Sequence, residues 1–141
     1  MAEASNKARP EFRNIHISQI RNYRLPLAGK VSILHRVSGI AMFALLPFVL
    51  YLLEQSLTSE ISFDKFSGFM AATIFSIPVV KIIVLGLIWA YLHHFCAGIR
   101  FLTLDLHLGI DKHTAQKSAG TVLAISLVLT AVFGAKLFGL F

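Results

Sequence analysis

Three long apolar runs separated by short polar segments constrain this chain more than any other feature. The first extends from about Ile33 to Leu53 and carries no formal charge after Arg36. The second extends from about Val79 to Leu104, uncharged from Ile82 to Ile99 but containing His93 and His94. The third extends from about Ser118 to Phe141, with Lys136 close enough to its end to snorkel to an interface. Each approaches or exceeds the ~20 residues a helix needs to cross a hydrocarbon core of about 30 Å. A chain of 141 residues that is 56% hydrophobic and 14% charged could not enclose so much apolar surface in a core of its own. Amides in lipid have no water to bond, and the runs lack the alternation of barrel strands, so each is expected to be helical. The expected fold is an all-α membrane protein, one anchor domain over residues 1–141 with three transmembrane helices at about 33–53, 79–104 and 118–141.

The net charge of +6 is distributed as a topology signal rather than as a nucleic-acid footprint. Seven of the 13 Lys+Arg stand at or before the start of the first run: Lys7, Arg9, Arg13, Arg21, Arg24, Lys30 and Arg36. The segment after it holds Glu54, Glu60 and Asp64 against Lys65, and the segment from Arg100 to Lys117 is basic again. The positive-inside rule then puts the N-terminus inside and the C-terminus outside. Cys96, the single cysteine, can form no internal disulfide and reads as a small buried hydrophobe. The first run begins too late for a cleaved signal peptide, and Glu3 and Glu11 do not suit a mitochondrial transit peptide, so a bacterial inner membrane is favoured over a mitochondrial one.

Residues 1–29 read as a basic cytoplasmic arm in which Pro10 and Pro26 discourage a continuous helix. Pro47 should kink the first span. Phe63, Phe66, Phe69, Met70 and Thr73 recur at helical spacing within 63–75, which suits a short amphipathic helix in the interface, and Pro78 marks the turn into the second span.

Ionisable groups at membrane depth are costly, which makes each one a functional candidate. His94 lies roughly 15 Å from the end of its span near Leu104, and imidazole is a common axial ligand of haem iron. Ala90, Ala97 and Gly98 lie one turn from His94 and would let a flat macrocycle approach; His93 looks towards Trp89 and Arg100. Spacing leans to His94 without deciding between the two, and either imidazole could instead bond a neighbouring helix. At the start of the first span Ser32, His35 and Arg36 share a face. They would suit the wall of a quinone pocket or a haem propionate. They suit equally a helix cap and interfacial anchors. Arg100 could meet a propionate or Asp105, or snorkel. Asp105, His107, Asp111 and His113 read as a solvated loop rather than a metal site.

The run Ser32-Ile33-Leu34-His35-Arg36-Val37-Ser38-Gly39, with Arg9-Pro10 upstream, resembles the amino-terminal signature of the family of cytochrome b556 subunits of succinate dehydrogenase. The family's second signature, a histidine, three residues, Gly-x-Arg and an aspartate, is similar to His94 through Gly98 and Arg100 to Asp105. The resemblance spans Arg9 to the end of the chain and departs at Phe101, where the family usually has histidine. It implies that His94 is an axial ligand of haem b, with the other ligand on a second small membrane anchor subunit packed in the same bundle. It also implies that Ser32 and Arg36 contribute to a ubiquinone pocket, with His35, Arg36 and Arg100 near haem propionates. The implied role is an anchor, non-catalytic on its own, that docks a flavoprotein and an iron-sulfur subunit and helps form the ubiquinone-reduction site. An anchor of a quinol:fumarate reductase and a haem-free structural membrane subunit are the alternatives.

Overall fold

The computed structural model describes His16, Ser18, Gln19 and residues 23–141. Most of the basic arm, including Arg9 and Pro10, lies outside the described residues. Those described are almost wholly helical: α1 Leu27–Ala44, α2 Leu46–Leu57, α3 Glu60–Ala71, α4 Val79–Asp105 and α5 Lys112–Leu137.

Pro26 caps α1, its carbonyl accepting from Lys30 N at 3.1 Å. The helix therefore claims the last three residues assigned to the arm, because proline is well tolerated at a helix start. Pro47 has the expected consequence at the other end. It lacks an N–H, and its ring would strike the carbonyl of Phe43 in a continuous helix, so the first run bends by 53° between α1 and α2. Placed in the first turn of α2, Pro47 leaves no intrahelical donor missing.

The polar connection is shorter in helix than its spacing suggested. Ser59 and Ser62 form a reciprocal cap, Ser62 N donating to Ser59 Oγ at 3.2 Å and Ser59 N to Ser62 Oγ at 2.9 Å, and this starts α3 at Glu60. The helix ends at Ala71, not Phe75, because Phe75 and Ser76 take φ of +48° and +64° in a tight turn. Pro78 is the N-cap of α4, as its position indicated.

With 27 residues α4 is about 40 Å long, more than a hydrocarbon core requires. Beyond it, α5 begins six residues before the expected Ser118, because hydropathy registers only the apolar part of a helix. Its first turns are polar and are set by Asp111, whose carboxylate accepts from Thr114 N at 2.9 Å. That hydrogen bonding from Thr114 holds the Asp111 carboxyl below its ordinary range. Asp105 thus closes α4, and His113 lies in the first turn of α5 rather than in a loop.

The centre of the bundle is narrow. Val31, Ala97, Ala119 and Val122 form its buried cluster, joining α1, α4 and α5 through small side chains that permit close approach. Ala28 N donates to Gln116 Oε1 at 3.2 Å and ties the start of α1 to α5. Large apolar side chains such as Ile40, Phe43, Leu102 and Val128 point outward instead. That is the inversion expected when the surroundings are acyl chains. By length and apolarity α4 and α5 each suffice to cross a membrane, and α1 with α2 makes a third if the bent pair is one span.

Candidate functional site

The chemistry-bearing residues meet where α1 crosses α4. The His94 ring lies flat against the His35 ring, centroids 4.0 Å apart and planes within 16°. Its Nδ1 is 3.0 Å from the His35 carbonyl oxygen and 3.3 Å from Ser38 Oγ. A carbonyl can only accept, so the proton sits on Nδ1. The Ser38 hydroxyl donates to the same carbonyl at 2.9 Å, which leaves its lone pair for the imidazole N–H. His94 is held by one nitrogen in a fixed tautomer, and its other nitrogen, Nε2, carries a bare lone pair that makes no hydrogen bond among the described residues. Orientation of one ring nitrogen by a carbonyl is the arrangement that fixes metal-ligating histidines.

Gly39 makes this approach possible. A Cβ built there would stand 2.9 Å from His94 Cε1 and 3.3 Å from Nδ1, so any larger residue would displace the ring. By contrast Ala90 and Ala97, the small neighbours that spacing assigned to His94, are buried on the stripe of His93 and Arg100. They serve helix packing and do not open a face for a macrocycle.

His93 is in the opposite situation. It is 0% exposed, stacked on Trp89 at 5.3 Å, and neither ring nitrogen has a partner among the described residues. The bundle would have to part for an outside group to reach it.

Arg100, 6% exposed, also points inward. Its Nε donates to Ser118 Oγ at 2.9 Å and its Nη2 to the Ala115 carbonyl at 3.1 Å, so it joins α4 to the start of α5. These neutral acceptors, rather than Asp105 or open water, are the partners the structure gives it. Its guanidinium lies 5.6 Å from the Phe101 ring, which in turn packs 5.0 Å from His35. Phe101 therefore sits between His35 and Arg100, on the side of α4 that carries His94. The buried Nε2 of His35 has no partner among the described residues.

Ser32 is half-buried and Arg36 exposed, on the same end of α1 as His35, and neither side chain is engaged in a hydrogen bond among the described residues. An apolar cavity of about 560 Å³ lies farther along, between Met42, Leu46 and Val49 on one side and Val84, Ile88 and Tyr91 on the other. It contains none of the polar candidates. Among the described residues no three His, Cys, Asp or Glu side chains converge to hold a metal ion.

Spacing missed the roles of Ser38, Gly39 and Ser118. The first two follow His35 by three and four residues, one turn along the same face, and that was the only signal available.

The donor set suits a haem better than a bare ion, because a macrocycle supplies four equatorial nitrogens and asks the chain for one imidazole. Residues 6–133 match the family described as succinate dehydrogenase/fumarate reductase transmembrane subunit. The chain is 30% identical over 132 residues to the succinate dehydrogenase cytochrome b556 subunit of Paracoccus denitrificans, covering 94% of each. It is 29% identical over 115 residues to the subunit of that name from Coxiella burnetii, covering 82% of this chain and 89% of the relative. A third such subunit, from Rickettsia felis, is 28% identical over 108 residues, 77% of this chain and 80% of its own. These bacterial relatives and the apolar helices place the chain in an inner membrane. It belongs to the succinate dehydrogenase/fumarate reductase transmembrane subunit family.

Proposed function

We propose that this chain is the haem b-bearing anchor of a succinate dehydrogenase, with His94 as one axial ligand through Nε2. The observation that carries the reading is the hydrogen bond from His94 Nδ1 to the His35 carbonyl, which directs the free lone pair of the same ring away from that carbonyl. A b-type haem bound there supplies a one-electron centre. The chain's own residues hold the imidazole in its tautomer and exclude water around it. The exposed Arg36 would neutralise a propionate, and His35, whose Nε2 has no partner among the described residues, would hydrogen-bond one. Arg100, drawn inward to Ser118, contributes by fixing α4 against α5.

In this reading α1 and α2 form one bent span beside α4 and α5, with the basic arm inside and the end of α5 outside. A second small anchor subunit completes the bundle and supplies the other axial ligand. The flavoprotein and iron-sulfur subunits dock on the inner side, near Ser32 and Arg36, where a ubiquinone pocket is closed by those partners. Ser32 and Arg36 give the described part of the chain a polar wall there. The relatives' names favour succinate oxidation over the quinol:fumarate reductase role that the family description also covers.

A reduced-minus-oxidised visible spectrum of the purified complex tests the proposal. Low-spin b-type bands are expected at one haem per copy of this chain. A complex that oxidises succinate with quinone and lacks those bands would leave a haem-free structural anchor.

A further inference from the structure

The segment between α3 and α4 combines two features that are unfavourable in water. Ile74 N donates to the Ile77 carbonyl at 3.0 Å and Ile77 N to the Ile74 carbonyl at 2.9 Å, closing a two-residue turn around Phe75 and Ser76. Both central residues have positive φ, +48° and +64°. Turns of this kind prefer Asn-Gly or Gly-Gly, since a Cβ in the left-handed region meets its own carbonyl. The conformation nevertheless leaves the Phe75 ring 96% exposed, between the exposed Ile74 and Ile77. A strained backbone that displays an uncovered apolar ring points to surroundings outside the chain.

The position of the turn says which surroundings. Val79 opens α4, and Val79 N donates to the Ile77 carbonyl at 2.9 Å, so the turn is tied directly to the first residue of a helix long and apolar enough to cross the membrane. Four residues of chain reach at most about 14 Å, which keeps the ring near the headgroup layer at that end of α4. Aromatic rings are enriched at that depth. Ile61 and Phe63 of α3 are also exposed and add apolar surface to the same connection, Ile61 on the face it shares with Asp64 and Lys65.

We propose that the Ile74–Ile77 turn is a lipid anchor that holds the Phe75 ring in the boundary between headgroups and acyl chains where α4 enters the bilayer. The strained backbone presents the ring, and the lipid covers it. This role is independent of haem.

The test uses the intact complex in nanodiscs of phosphatidylethanolamine and phosphatidylglycerol, with Phe75 or, as the control, Asp64 replaced by p-benzoylphenylalanine. After irradiation, mass spectrometry of this chain should find a phospholipid adduct at position 75 several-fold more abundant than at 64. An adduct to a partner subunit at 75, or lipid adducts no more frequent than at 64, would overturn the proposal. If the substituted complex fails to assemble, the unaltered one is treated with a membrane-partitioned and a water-soluble diazirine. Labelling of residues 72–78 by the lipid-soluble reagent supports the anchor, and labelling by the aqueous reagent alone, or by neither, contradicts it.

Discussion

His93 and His94 are consecutive on α4 and differ in almost everything else. The first belongs to the stripe of Ala90, Ala97 and Arg100 that packs inward, stacked on Trp89 with both nitrogens unpartnered among the described residues. The second faces α1, where the His35 carbonyl takes its N–H. A rotation of about 100° per residue is enough to turn one imidazole into packing and the other into a group with a directed lone pair. Intramembrane histidines are therefore better distinguished by what engages their second nitrogen than by depth.

The largest effect that could break this contrast comes from Gly39. Gly39→Ala puts a Cβ 2.9 Å from His94 Cε1, so the ring must leave the His35 carbonyl. A loss of low-spin b-type absorbance in the purified complex is expected, with destabilisation of about 1–3 kcal/mol, the usual cost of overpacking. An unchanged spectrum would mean that the glycine does not set the ring.

On the other face, Arg100→Leu removes both bonds to α5 and leaves Ser118 without its donor. A loss of about 1.5–3 kcal/mol is expected from the hydrogen bonds of a charged donor that disappear, read as a lowered thermal midpoint, while the haem spectrum of the assembled complex keeps its shape. A selective loss of the spectrum would move Arg100 from packing into cofactor contact.

Ser38→Ala sharpens the contrast more gently. The main bond from His94 to the carbonyl stays and only the 3.3 Å contact goes, so about 0.5–1.5 kcal/mol should be lost. The low-spin spectrum should persist.

The smallest effect lies at Asp111. Its carboxyl is held below the ordinary range by hydrogen bonds from Thr114, so the charged form favours the folded chain. This stability is present above the ordinary carboxylate pKa and is lost as pH falls through the lowered one. Asp111→Ala should lower the thermal midpoint slightly at neutral pH, and the difference from the unaltered protein should shrink on acidification.

Much of this was legible in the chain. Apolar runs reveal spans because lipid selects composition along a whole segment, and Pro47 and Pro78 mark a bend and a start through a missing N–H and a fixed φ. Polar turns such as Lys112–Lys117 were hidden, because their helix depends on a cap rather than on hydropathy. The end of α3 was hidden too, since nothing local announces a left-handed Phe75. Helical spacing put Ser32, His35 and Arg36 on one helix, α1, yet it could not pair Gly39 with His94 or Arg100 with Ser118. Those are contacts between helices, and periodicity within one helix carries no information about its neighbour's register.

The central claim is that His94, and not His93, presents a nitrogen to haem iron. Its most direct test is the visible and low-temperature electron paramagnetic resonance spectrum of purified complexes carrying His94→Leu or His93→Leu. His94→Leu is expected to abolish or severely alter the low-spin b-type signal, and His93→Leu, in a complex that still assembles, to leave it essentially normal. The converse pattern would assign the ligand to His93, and normal signals in both would remove α4 from iron ligation.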